Sequence, residues 1–394
     1  MMRTKLAAIA VSGFAVSAIC LGGAFALGGS ALGDTILDIG DFGQPRCDTT
    51  GPSAVISRTL PWDGNGDRAA VAVAANTYYR AGSGDQLIVK GDSRIISHVY
   101  VRDGLVGIDC RTGGFFHNNA ERIEVTLPGR NFRAFAQLGS GNMRLAALSQ
   151  PDARISVEGS GNIEADGKIG RLKAVIEGSG NLQATGTADN LELSVEGSGG
   201  AKLGELVVKN ASVSIEGSGD VEIAPQGASR VDIAGEGSGD VKAMGTADTL
   251  KVAVSGSGDM RLGGLSAKTA EVDIDGSGEV EIAPQDALRV GIEGSGDVTL
   301  RSEPKKLEAS IAGSGHITHP DGTRQDRHSH DRHARLERED FGAIVDEAAA
   351  RGGPPDPDEL DRATAKLKAR IRHQVAQSLA GESEFPPTPP PPPR

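Results

Sequence analysis

Aromatic side chains are nearly missing from this 394-residue chain: they make up 3% of it, with one Trp, three Tyr and nine Phe. With so few rings and 55 glycines, the composition is not that of a mixed globular core. A three-residue Gly-X-Y period is absent, which excludes collagen, and the alternating Val, Ile and Leu exclude a purely disordered linker. The chain also lacks a basic balance. Forty-one Lys and Arg stand against 53 Asp and Glu, a net charge of −12, which argues against nucleic acid or anionic lipid headgroups as partners. Cysteine is scarce as well, with only Cys47 and Cys110 beyond the N-terminal segment.

What the chain does have is repetition. Gly-Ser-Gly recurs with its first glycine at Gly139, Gly159, Gly178, Gly197, Gly217, Gly237, Gly256, Gly276, Gly294 and Gly313. One coil of a solenoid returning to the same edge produces such a register. Around each triplet hydrophobicity alternates with period two: Val213, Ile215, Val221 and Ile223 on one side, and Ser214, Glu216, Asp220 and Glu222 on the other. A strand of this kind buries one face only by stacking on its neighbours, about 4.8 Å away, and the same-direction repeat makes the stacking parallel. The fold class is therefore all-β: a parallel β-solenoid (β-helix) of about ten 18- to 20-residue Gly-Ser-Gly coils. A longer period lies inside this one. Gly186-Thr-Ala-Asp returns at Gly245, Leu203-Gly at Leu262, and Ala224-Pro-Gln at Ala283, so a three-coil block reads as the duplicated unit. The triplet glycines admit two readings, a tight arc at positive φ or straight backbone with no room for a side chain, and the arc is the preferred one.

The flanks differ from this tract. Residues 1–27 read as a Sec signal peptide or an uncleaved N-terminal membrane anchor: Arg3 and Lys5 precede an apolar stretch from Leu6 to Leu27. Residues 28–61 read as a linker. Residues 62–138 carry strand-like runs without the triplet, such as Leu87 to Lys90 and Val99 to Arg102, and read as the N-terminal β cap that an open solenoid core requires. The regular coils occupy 139–318. Beyond them come a His-rich polar linker at 319–355, a helix at 356–380 with Asp356 as N-cap, able to serve as a partner helix, and a Pro-rich disordered tail at 381–394. In an oxidising compartment Cys47 and Cys110 can form a disulfide; the alternative is two separate thiols.

A resemblance rests on particular residues. Arg68-Ala-Ala-Val-Ala-Val, Ile96-Ser-His-Val-Tyr-Val-Arg-Asp-Gly-Leu-Val-Gly-Ile, Glu121-Arg-Ile-Glu-Val-Thr-Leu-Pro and the Gly-Ser-Gly-Asn/Asp coils together resemble the head GIN domain family of auto-transporter adhesins. The likeness spans 62–318. It implies a β-solenoid of the bacterial envelope and offers no catalytic residues to carry over. Nothing after Thr318 reads as the alternating strands of a translocator barrel.

Candidate chemistry follows the repeat. Acids stand before the triplet (Glu158, Glu177, Glu196, Glu216, Glu236, Asp275, Glu293) and after it (Asp220, Asp240, Asp259, Glu279, Asp297). Stacked at about 4.8 Å, such charges repel unless solvated, screened or bridged, and Ca²⁺ is the cation their oxygens would select. The motif is not the nonapeptide calcium repeat, so a solvated face is the preferred reading and no metal or cofactor is assigned. The triplet serines lack a recurring base and read as hydroxyl ladders between coils. His316, His319, His328, His330 and His333 form a cluster with weak Zn²⁺ or Ni²⁺ character, second to a polar linker. From Gly139 to Thr318 there are 27 Asp and Glu, 16 Lys and Arg, and no Trp, Tyr or Phe. This leaves poor footing for sugar stacking and for a polysaccharide lyase or hydrolase. The sequence thus predicts a non-catalytic exported module of the periplasm or cell surface that binds a protein or cell-surface ligand or acts as a scaffold. The alternatives are a polysaccharide-acting β-helix enzyme and a self-associating envelope rod.

Overall fold

The structure, a computed structural model, describes Cys47 and residues 52–63, 66–82, 84–110 and 123–326. Residues 1–27, most of 28–61, the helix expected at 356–380, the tail at 381–394 and the polar linker from 327 onward lie outside the described residues.

Eight coils are each one long strand: β9 (Asn142–Gly159), β10 (Asn162–Gly178), β11 (Asn181–Gly197), β12 (Gly200–Gly217), β13 (Val221–Gly237), β14 (Val241–Gly256), β15 (Met260–Gly276) and β16 (Glu279–Gly294). They pair in parallel and in sequence order, with triplet on triplet: Gly178 opposes Gly159 and Gly197, and Gly276 opposes Gly294. Coil lengths differ by a residue or two. The surplus is taken up as register shifts mid-coil, between Leu203 and Val207 or between Ile223 and Ala228, so both arms beside the triplet keep exact-neighbour pairing.

The alternating pattern does what period two requires. In β11, Leu182, Ala184, Ala188, Leu191, Leu193 and Val195 are buried while the residues between them face out. Each large aliphatic side chain so buried contributes about 1.5–3 kcal/mol. Both glycine readings hold, each at its own position. Gly217 has φ of +123°, the arc that only glycine enters without strain. Gly219 has no such φ, but a Cβ there would collide with the Gly199 carbonyl and the Val195 side chain. The serine between them departs from expectation. Its backbone N–H makes the coil-to-coil bond, Ser218 N to Gly197 O at 2.8 Å and Ser257 N to Gly237 O at 2.8 Å. Among the described residues only the Ser238 and Ser257 hydroxyls meet, at 3.5 Å, because the arc turns the side chains toward solvent.

The cap comprises β1 (Val55–Leu60), β2 (Arg68–Val71), β3 (Asn76–Arg80), β4 (Leu87–Asp92), the one-turn α1 (Ser93–Ile96), β5 (Val99–Arg102), β6 (Leu105–Ile108), β7 (Glu124–Thr126) and β8 (Ala134–Gln137). The linker boundary at residue 61 is corrected: β1 pairs antiparallel with β4 and belongs to the cap. Non-local pairing builds two arms on the first coil. One runs β8 on β9 with β2 beyond it; the other runs β1, β4, β7, β3 and β9 side by side. Trp62, Tyr79, Phe132 and Phe135 fill the end of the core, with ring centroids 4.8–6.1 Å apart, and the Tyr79 hydroxyl donates to the Arg130 carbonyl at 2.7 Å. Cys47 and Cys110 are joined by a disulfide, Cα to Cα 4.9 Å.

The last coil breaks. β17 (Asp297–Leu300) and β18 (Lys306–Gly313) are separated by a segment holding Pro304, and β19 (Ile317–Thr318) turns back on β20 (Arg324–Gln325) as an antiparallel pair. The described fold therefore runs past Thr318. Among the described residues, no helix is long and apolar enough to cross a membrane.

Candidate functional site

Two outer faces flank the triplet edge. The face carried by residues just before the triplet bears an in-register acid row: Glu158, Glu177, Glu196, Glu216 and Glu236 lie on successive strands. Burial, and then the like charges of Glu158 and Glu196 on either side, push the Glu177 carboxyl above its ordinary value. Glu216 is raised for the same reasons, burial first and then Glu196 and Glu236. A groove of about 470 Å³ on this face includes Ser194 and Ser214 in its lining and is edged by ion pairs, Lys173 with Glu192 at 2.5 Å and Arg230 with Asp232 at 2.6 Å.

The face carried by residues just after the triplet is different. Its first row runs Asn76, Asn142, Asn162, Asn181 on β3, β9, β10 and β11. Asn162 Nδ2 donates to Asn142 Oδ1 at 2.9 Å, Asn181 Nδ2 to Asn162 Oδ1 at 3.0 Å, and the Gly200 N–H closes the run on Asn181 Oδ1 at 3.2 Å. From the next coil on, the asparagines give way to the acids singled out from the sequence. Asp220 Oδ1 accepts the Asp240 N–H at 3.3 Å, Asp240 Oδ1 the Asp259 N–H at 3.0 Å, and Asp297 Oδ1 the His316 N–H at 3.0 Å. The Arg261 guanidinium bridges Asp240 at 2.8 Å and Asp259 at 3.1 Å, and the Thr299 hydroxyl reaches Glu279 at 3.5 Å. Asp220, Asp240 and Asp297 thus accept backbone N–H groups, as Asn162 and Asn181 do upstream.

The second row of this face joins cap to coils. Tyr78 on β3 opposes Arg144 on one side and Thr126 on the other, and Thr126 opposes Ile88 on β4. Tyr78 is 43% and Ile88 38% exposed. Beyond Arg144 the row continues with Glu164 and Gln183, and a groove of about 560 Å³ lies over both rows. Neither Tyr78 nor the asparagine run was singled out from the sequence. The signal was present: Asn76-Thr-Tyr-Tyr-Arg alternates, with Thr77 and Tyr79 buried.

The remaining candidates are dispersed. His316 Nδ1 lies 2.7 Å from Asp297 and His319 Nδ1 3.0 Å from Glu303; His328, His330 and His333 lie outside the described residues. His98, Asp109 and Cys110 form a group near enough to share a metal ion, but His98 Nδ1 meets Asp109 at 2.8 Å and the Cys110 sulfur is held in the disulfide. A disulfide sulfur offers no thiolate to a metal.

The profile of the family described as "putative auto-transporter adhesin, head GIN domain" matches residues 69–238 and 228–304. The chain belongs to that family. Solved structures similar to this head GIN region include a putative adhesin from Bacteroides fragilis, at 16% identity and TM-score 0.40, covering 68% of this chain and 97% of that one. A putative adhesin from Parabacteroides merdae matches at 15% identity and TM-score 0.41, over 68% and 97%. A putative lipid binding protein from Parabacteroides distasonis matches at 22% identity and TM-score 0.34, over 67% and 96%. No curated protein matches the chain.

Proposed function

We propose that this head GIN chain is a non-catalytic, Sec-exported binding module of the cell envelope, presented at the periplasm or cell surface for adhesion-type contact. The observation that supports it best is the continuous outer face after the triplet, where one side-chain position recurs at strand spacing from β3 through β11. Such a surface engages an extended partner at many equivalent points, and affinity accumulates over repeats that are individually weak. Family membership supports the same reading. The test uses beads carrying the full chain on surfaces coated with bacterial cell-wall material or with mucin. Retention above bare beads, with no new reducing ends released from either coating, is the expected outcome; equal retention, or release of ends, overturns it.

One observation favours a scaffold as second reading. Among the described residues β18 pairs only with β16, and its Leu307, Ala309 and Ile311 are part-exposed. An open parallel edge of this kind templates another strand. Light scattering on the full chain over a range of concentrations distinguishes the two: a mass that grows with concentration supports the rod, and a constant one supports the adhesion module.

A further inference from the structure

We infer that the groove over Tyr78 and the asparagine run is a binding site for an uncharged glycan, lying along the solenoid axis across the seam between cap and coils. The inference deepens the binding reading above and rests on it.

Three observations meet there. The first is an aromatic platform. Tyr78 is 43% exposed although its strand neighbours Thr77 and Tyr79 are 1% and 3% exposed, so the ring lies on the outer face with the Thr126 side chain and Ile88 next in the same row. The apolar face of a pyranose stacks on such a ring, and no other aromatic lies on this face within the coils, since residues 139–318 contain none.

The second observation is the polar lining. Asn142, Asn162 and Asn181 are linked amide to amide, and each bond consumes one N–H of the Asn162 and Asn181 side chains. A carboxamide has two such hydrogens and two carbonyl lone pairs, so every rung keeps donor capacity toward solvent. Sugar hydroxyls both donate and accept, and a row of planar amides repeating about every 4.8 Å offers both at each step.

The third is charge. Arg144 pairs with Glu164 at 3.1 Å and Lys90 with Glu124 at 3.3 Å, and Lys202, which continues the second row past Gln183, stands opposite Glu222 on the next strand. Charges along the row thus alternate in sign, so a neutral ligand loses nothing there, whereas a polyanion or polycation finds no field of one sign. This contrasts with the glutamate row on the other face. The rejection of sugar stacking drawn from the ring-free coils therefore fails where β3 brings a cap tyrosine alongside β9.

Affinity electrophoresis of the full chain tests the site, in gels carrying dextran, mannan, xyloglucan or glycol chitin, with polygalacturonate as the charged comparator. The expected result is retardation by at least one neutral polymer and none specific to polygalacturonate. Tyr78→Ala should weaken it about tenfold or more, as loss of a central aromatic contact does. Tyr78→Phe should retain it, and Asn162→Leu should weaken it by a similar factor. Met244→Ala, at an exposed side chain of β14, should change nothing. Both tyrosine variants sit at an exposed position, so folding is preserved and checked by their melting curves. Retardation unaffected by Tyr78→Ala overturns the site, as does the absence of retardation in all four neutral polymers. The bead assay separates this from the broader reading. Retention abolished by periodate oxidation of the coating supports the glycan. Retention that survives periodate but not protease leaves a binding module with a protein partner and sinks the glycan site, and no retention at all sinks both.

Discussion

From Val55 to Gln137 the chain closes the end of the solenoid with contacts used once; from Asn142 to Gly294 it uses one set of contacts eight times over. The cap has rings, a disulfide, a capped helical turn and strands paired out of sequence order. The coils have aliphatic columns, glycine arcs and, from Ser179 on, a Ser N–H to Gly C=O bond at each edge. The difference follows from what each must cover. An interior coil has a neighbour above and below and needs only to repeat, while the first layer has core on one side and water on the other. Stability in the coils is a sum of near-equal interface terms, so a defect there stays local. In the cap it is concentrated in few residues, so one change is felt by the whole end of the solenoid.

The largest effect expected is therefore in the cap. Phe132 is fully buried among Trp62, Tyr79 and Phe135, and Phe132→Ala should cost about 3–5 kcal/mol by transfer and cavity terms together. Urea unfolding measures it. A loss below about 1.5 kcal/mol would mean that the coils hold the end closed without the ring cluster. Reduction of the Cys47–Cys110 bridge comes next, at about 4 kcal/mol for a loop closed over a sequence separation of 63. Hydrogen exchange localises the loss: amides of β5 and β6 should lose protection while those of β10 to β16 keep theirs. Uniform loss would erase the distinction between the two regions.

A break in the coils should be smaller and more local. Gly217→Val places a β-branched side chain at φ +123° against the Gly197 carbonyl, for about 1–3 kcal/mol. An unchanged melting temperature would contradict the arc. Exchange should quicken in the strands around it, β12 and β13, and not in the cap. Asn162→Ala removes the middle rung of the amide run and should cost about 1 kcal/mol, the net worth of one or two hydrogen bonds.

The same division governs what is legible in the sequence alone. The coils could be read because their constraints are local: glycine alone enters the arc at Gly217, and alternation alone places Val213 and Ile215 inside. The cap could be read as strands but not as a surface. Tyr78 reaches Arg144 only through the order β1, β4, β7, β3, β9, in which neighbours in space are tens of residues apart in sequence, and no period announces such pairing. Backbone bonds add to both polar columns what side chains alone do not announce. The serine column reads as a hydroxyl ladder, but its coil-to-coil bond is the serine N–H onto a glycine carbonyl of the neighbouring coil. The acid column, read as a solvated face, also carries backbone bonds: Asp220 and Asp240 each accept the N–H of the next coil's residue, while Asp259 meets Arg261, because stacked parallel strands offer backbone donors rung by rung.

The smallest effect tests the glutamate row, which has no counterpart in the cap. Glu177 and Glu216 are raised above the ordinary glutamate range by burial and by their glutamate neighbours, and Glu196 is neighbour to both. A carboxyl raised in the folded state holds its proton more tightly there than in the unfolded chain. The stability this adds is complete below the ordinary glutamate value and is lost as pH climbs through the raised ones. Acidification from neutrality toward that range should accordingly raise the melting temperature slightly. At lower pH the paired carboxyls Asp189, Glu281 and Glu308, which are held below their ordinary values by Lys209, by Arg301, and by Lys306 and Arg289, pull the other way. Glu196→Gln keeps the shape of the row and removes its central charge. At pH 7 it should stabilise by about 0.5 kcal/mol, the screened repulsion between charges one strand apart, and flatten the rise on acidification. A variant less stable than the parent at pH 7 would show that Glu196 serves the coils through a bond rather than burdening them with a charge.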